Sequence, residues 1–147
     1  MSPQRNSDIL LVEDNRNDAE LALRALAKAR VANDVHVVRD GAEALEFLFG
    51  EGAYAGRAGS PLPRVILLDL KLPKVDGLEV LRRVKGDERT KLVPVVVLTS
   101  SREESDLVAS YHLGANSYIV KPVDSDKFFE AVHEIGLYWL LLNEPSR

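Results

Sequence analysis

Short apolar runs that each stop at a chemically useful polar residue constrain this chain more than any other feature. Ile9-Leu10-Leu11-Val12 runs into Glu13-Asp14, and Val65-Ile66-Leu67-Leu68 runs into Asp69. Val95-Val96-Val97-Leu98 runs into Thr99, and Tyr118-Ile119-Val120 runs into Lys121-Pro122. Strands that are apolar at consecutive positions are covered on both faces, as in a parallel sheet. Parallel strands would bring all these polar ends to one edge. Open α/β sheets bind ligands at that edge, outside the carboxyl ends of the strands.

Segments of helical period separate the runs. Asp18 to Arg30 places Leu21, Ala22, Ala25, Leu26 and Ala29 at spacings of three and four, with Asn15 or Asn17 as the cap. Val35, Val37 and Val38 form a further strand, on which His36 is expected to point outward. Asp40-Gly41-Ala42-Glu43 reads as a capping box for a helix through Leu48 and Phe49. Gly50 to Pro63 reads as a long loop. It lacks the Gly-Lys-Ser/Thr ending with which a P-loop holds phosphate. Gly77 to Lys85 is helical, with Arg82, Arg83 and Lys85 expected on a solvated face. Ser101-Arg102-Glu103-Glu104 is a second capping box, for a helix reaching about Leu113 with Gly114 as its C-cap. Asp124 or Ser125 caps a last helix carrying Phe128, Phe129, Val132, Ile135 and beyond. Alternating strands and helices with right-handed crossovers predict a doubly wound α/β fold with a five-stranded parallel sheet.

Composition removes several classes of function. A net charge of -4 supplies no strong positive field for nucleic acid. The chain has no Cys, which removes disulfides, thiolate metal sites and cysteine nucleophiles. The polar start, Met1 to Ser7, lacks the apolar core of a signal peptide. No apolar stretch reaches the roughly 18 to 20 residues that span a bilayer. His36, His112 and His133 have no metal-ligand spacing. A cytoplasmic protein without a membrane or nucleic-acid partner is expected.

The residues at the expected edge suit Mg²⁺ and a phosphoryl group. Mg²⁺ prefers oxygen ligands and keeps several waters, so one or two carboxylates suffice. Asp14 and Asp69 would be direct ligands, and Glu13 would act through water. Clustered carboxylates repel one another unless a cation offsets them. Phosphoryl transfer to Asp69 would require charge compensation on three oxygens. Mg²⁺ would serve one, the Lys121 ammonium a second, and the Thr99 hydroxyl with a backbone N–H the third. The Lys121-Pro122 bond is of the type in which a cis peptide is cheap, and a cis turn would aim the lysine inward.

The segments ILLVEDN, VILLDLKLPKVDGLEVLRRVK, PVVVLTSS and GANSYIVKPVD resemble the receiver domain of two-component response regulators, from Asp8 to about Leu137. The resemblance implies a flavodoxin-like three-layer sandwich of strand order 2-1-3-4-5. It implies that Asp69 accepts phosphate from a histidine kinase. It places Glu13, Asp14, Asp69 and the Lys71 carbonyl at the Mg²⁺ positions, and Thr99 and Lys121 at the phosphoryl oxygens. Thr99 and Tyr118 fall at the switch positions. Lys71 and Ser101 fall where family members differ in admitting the attacking water. The loop before Pro63, Leu72-Pro73-Lys74 and the LYWLLLNEP ending are similar to single-domain regulators that partner bacterial phytochromes.

On this reading residues 1–7 are a disordered tail and 8–147 the receiver, with an extended apolar C-terminal helix. Output would pass through protein contacts, since the chain is used up by that domain. Leu137, Tyr138, Trp139, Leu140 and Leu141 are too apolar on all sides for one domain to bury, which predicts a homodimer interface. Two other functions compete. An aspartate-nucleophile phosphatase needs a second acid two residues after Asp69, where Lys71 stands. A flavodoxin-like cofactor binder would find its phosphate repelled by Glu13-Asp14.

Overall fold

The computed structural model describes residues 9–29, 34–72, 74–110 and 112–136. The expected tail and the apolar ending from Leu137 to Leu141 lie outside the described residues. The strands are β1 (Ile9–Val12), β2 (Val35–Val38), β3 (Val65–Asp69), β4 (Val95–Thr99) and β5 (Ser117–Val120). The helices are α1 (Arg16–Lys28), α2 (Gly41–Phe49), α3 (Gly77–Gly86), α4 (Arg102–Ser110) and α5 (Ser125–Glu134). All strand pairs are parallel, in the order β2-β1-β3-β4-β5.

Alternation along each strand builds two cores. Ile9, Leu11, Val65, Leu67, Val96 and Leu98 face Ala22 and Leu26 of α1 and Phe128 and Val132 of α5. Leu10, Val12, Ile66, Leu68, Val95 and Val97 face α2, α3 and Val108 of α4. Successive side chains of a strand point to opposite faces, so a run apolar at every position fills both layers. That is why the central strands carry no polar outward face.

The helix starts follow the caps. Asn15 Oδ1 accepts from the Asp18 N–H at 2.9 Å, and α1 begins at Arg16, earlier than the apolar period indicates. Asp40 accepts from the Glu43 N–H at 2.7 Å, and Glu43 reaches back to the Arg39 N–H at 3.0 Å. Ser101 Oγ accepts from the Glu104 N–H at 3.1 Å, while Glu104 accepts from the Ser100 N–H at 2.8 Å. Asp124 caps α5 through the Lys127 N–H.

Four expectations need correction. The stretch after Gly50 contains a 3₁₀ turn, Gly52–Arg57, kinked at Tyr54. It is tied down by side chains: Tyr54 Oη donates to Glu43 at 2.7 Å, and the Arg57 guanidinium lies 3.8 Å from the Phe47 ring centre. His36 does not point freely outward, because it stacks on Phe47 at 4.5 Å and meets Tyr54 Oη at 3.0 Å. Helix α4 stops at Ser110, short of Leu113, and His112 has a left-handed φ of 55° that cannot continue a helix. Lys85 is not merely solvated, because its ammonium donates to the Val93 carbonyl at 2.7 Å and to Asn116 Oδ1 at 2.9 Å.

Candidate functional site

The ladder carries each polar residue to the same edge. Glu13 N–H donates to the Val38 carbonyl at 3.0 Å, one residue beyond β1. Asp69 closes β3 opposite Leu98. Lys121 N–H donates to the Thr99 carbonyl at 2.8 Å, one residue beyond β5. The Lys121-Pro122 peptide is cis. Backbone hydrogen bonds thus hold three distant segments in register before any side chain acts.

The side chains meet there. Lys121 Nζ lies 2.9 Å from Glu13 Oε1, 3.1 Å from Asp69 Oδ2 and 3.1 Å from Asp18 Oδ2. Carboxylate oxygens of Glu13, Asp14 and Asp69 all lie within 4.8 Å of one another. Glu13 and Asp69 are buried, whereas Asp14 is exposed. The second Glu13 oxygen accepts from the Asn15 N–H at 3.2 Å, and Asp69 Oδ1 accepts from the Lys71 N–H at 3.3 Å.

The electrostatics record the crowding. Burial pushes the Glu13 carboxyl up to about 7, and its contact with Asp69 acts in the same direction against the pull of Lys121. Burial opposes the Lys121 ammonium, but its bonds to Glu13 and Asp69 outweigh that and raise its pKa above the usual lysine value. One ammonium therefore sits among more negative charge than it can neutralise. A hard divalent cation fits this set, because its donors are oxygens and one of them faces solvent.

Thr99 ends β4 beside this group and is fully buried. Its hydroxyl donates to the Ser101 carbonyl at 3.0 Å. Tyr118 is half-buried on β5, packed against the core layer of α2, α3 and α4. The Lys71 side chain points outward, 3.9 Å from Glu104. Glu13, Asp14, Asp69 and Lys121 are thus brought together, while the Thr99 hydroxyl is engaged elsewhere. Sequence reasoning missed Asp18, which was read only as a helix start. Its signal was its place in the first turn of a helix that leaves the acidic strand end.

Comparisons with known proteins give the family. The family model described as "Response regulator receiver domain" matches residues 9–133. The "Probable methanogenesis regulatory protein FilR2" of Methanothrix harundinacea is 45% identical over 133 residues, covering 90% of this chain and 83% of that protein. The "Response regulator Rcp1" of a Synechocystis strain is 42% identical over 132 residues, covering 90% and 88%. The solved Mn²⁺-bound form of Rcp1 superposes with a TM-score of 0.71 at 41% identity, covering 94% of this chain and 98% of that one. The bacteriophytochrome response regulator AtBRR superposes with a TM-score of 0.87 at 56% identity, covering 97% and 100%. The chain belongs to the response regulator receiver family. Receiver domains accept phosphate from a histidine kinase, and the comparisons support that function rather than a phosphatase.

Proposed function

We propose that Asp69 is the phosphoryl acceptor, with Glu13, Asp14, Asp69 and the Lys71 carbonyl holding Mg²⁺ and with Lys121 and Thr99 serving the phosphoryl oxygens. The observation that carries this reading is the 3.1 Å contact between Lys121 Nζ and Asp69 Oδ2, made between the ends of β5 and β3. A bound divalent cation supplies charge neutralisation at the phosphoryl oxygens. Asp69 contributes the carboxylate oxygen that forms the new P–O bond while the donor's P–N bond breaks. The donor imidazole leaves as its nitrogen takes up a proton. Lys121 gives a phosphoryl oxygen the N–H that it now gives Asp69. Thr99 must release the Ser101 carbonyl before its hydroxyl can do likewise. That exchange couples the site to the turn before α4.

Output follows from that coupling. Thr99 and Tyr118 act as the switch, and phosphate favours one of two pre-existing arrangements. The face of α4, β5 and α5 then meets protein partners. A homodimer through the region of Leu137, Tyr138, Trp139, Leu140 and Leu141 fits their apolar character. Similarity to the bacteriophytochrome response regulator AtBRR supports a bacterial phytochrome as the kinase. No described helix is long and apolar enough to cross a membrane. The reading is of a cytoplasmic signalling protein that is not an enzyme and does not bind nucleic acid.

The test is labelling. Acetyl phosphate with Mg²⁺ should add one phosphoryl group per chain, mapped to Asp69 by mass spectrometry, and chelation should stop it. Asp69→Asn should abolish labelling. Undiminished labelling of that variant overturns the assignment, and rapid turnover of phosphomonoesters would restore the phosphatase.

A further inference from the structure

Asp18 takes no part in the acceptor site as derived above, yet it grips the same ammonium. A lysine ammonium has three N–H donors. Here they meet three carboxylates, those of Glu13, Asp18 and Asp69, all within 3.1 Å. Asp18 reaches Lys121 from 103 positions away in the chain. Its backbone N–H is held by the Asn15 cap at 2.9 Å, so its carboxylate rides on a fixed helical turn. Its side chain is more exposed than those of the other two partners, 36% against 2% for Glu13 and 7% for Asp69.

We infer that Asp18 is a positioning residue for Lys121, keeping the ammonium in place while Asp69 becomes phosphorylated; this rests on Asp69 being the acceptor. Phosphorylation converts the Asp69 carboxylate into an acyl phosphate, whose acyl oxygens carry less charge and accept more weakly. The N–H that Asp69 held then passes to a phosphoryl oxygen. Glu13 and Asp18 remain as anchors from two different elements, β1's end and α1. With Glu13 alone, the flexible lysine stem has one tether, and its tip can swing away from the phosphoryl group. An opposite role is physically possible to detect, because a carboxylate so close to the phosphoryl oxygens would repel them and slow the reaction.

Asp18→Ala and Asp18→Asn separate the two roles. Asparagine keeps an acceptor oxygen at the same place without the charge. With acetyl phosphate and Mg²⁺, Asp18→Ala should lower the maximal labelling rate about threefold, the range of a partly exposed ion pair. Its affinity for beryllofluoride, read by fluorine NMR, should fall similarly, and Asp18→Asn should restore most of both. In the metal-free protein the Lys121 ammonium resonance should be protected in wild type and Asp18→Asn and broadened in Asp18→Ala. Thermal melts report folding of all three. Labelling of Asp18→Ala at the wild-type rate, or faster labelling of both variants, overturns the inference. Failure of wild type to label overturns the acceptor assignment instead.

Discussion

Glu13, Asp14 and Asp69 bring carboxylate oxygens within 4.8 Å of one another, where like charges repel. Asp14 is the exposed member, so replacing it removes repulsion at little cost in packing. Asp14→Asn should stabilise the metal-free protein by a few tenths of a kcal/mol, the value of an exposed charge pair. Mg²⁺ should then raise the melting temperature of wild type more than that of the variant, a difference that calorimetry with and without chelator would read. His36 makes a second prediction. Burial lowers its pKa, Arg57 acts in the same direction, and Glu43 opposes them. Tyr54 Oη gives its proton to Glu43, so His36 Nε2 must be the donor in its contact with Tyr54. A histidine whose folded pKa lies below the unfolded 6.5 binds its proton more readily when unfolded. Its contribution is complete above pH 6.5 and declines as pH falls through the window beneath. Glu13, with its raised pKa, contributes in the opposite sense over the same range, so the loss is read as a difference. The stability gap between wild type and His36→Phe in denaturant melts should narrow as pH falls from neutral to mildly acidic. The acidic partners of Lys121 were legible because each ends an apolar run. The His36 cluster was not, because His36, Phe47, Tyr54 and Arg57 share no period and meet only after the chain folds back.

Helix α3 shows how an element holds the site. Gly77 packs its first turn against the end of β3, where an added Cβ would collide with the Asp69 carbonyl oxygen and the Leu70 backbone. Gly77→Ala should therefore cost about 1–3 kcal/mol, the range for overpacking a close contact, and should slow phosphate uptake by displacing Asp69. Chemical denaturation and labelling rates test the two effects separately. At the other end of α3, Lys85 secures the turn into β4 by donating to the Lys91 and Val93 carbonyls and to Asn116 Oδ1. Asn116 Oδ1 also accepts from the Val95 N–H at 2.8 Å. Burial lowers the Lys85 pKa, which agrees with an ammonium withdrawn from solvent. Asn116→Ala should cost about 1–2 kcal/mol by leaving those donors without it. Strands and helix faces were legible from period alone. The end of α4 was not, because Gly114 looks like the stop while the left-handed residue nearer the helix is His112.

Taken together, the strands form one sheet whose candidate site residues lie at or just beyond the ends of β1, β3, β4 and β5 and whose three central strands are buried on both faces. The order of the strands was legible only through family resemblance, since periodicity says nothing of which strand lies beside which. At this scale the proposed association of chains is tied to the apolar ending. Truncation before Leu137 should weaken dimerisation, shown by sedimentation velocity as a shift toward monomer at equal concentration. A wild-type monomer at all practical concentrations would remove the dimer. The Lys121 cation stands just past the last strand, whereas its acidic partners come from the end of β1, from α1 and from β3. A nascent or clipped chain that stops short of Lys121 would keep the acidic nest but lack the ammonium, so only a bound divalent cation would offset a phosphate dianion. Such a fragment should answer its donor more slowly than the whole domain, however well its earlier strands were paired. On the proposed reading, full competence to receive a signal waits on the last strand, so half-built molecules should draw phosphate poorly.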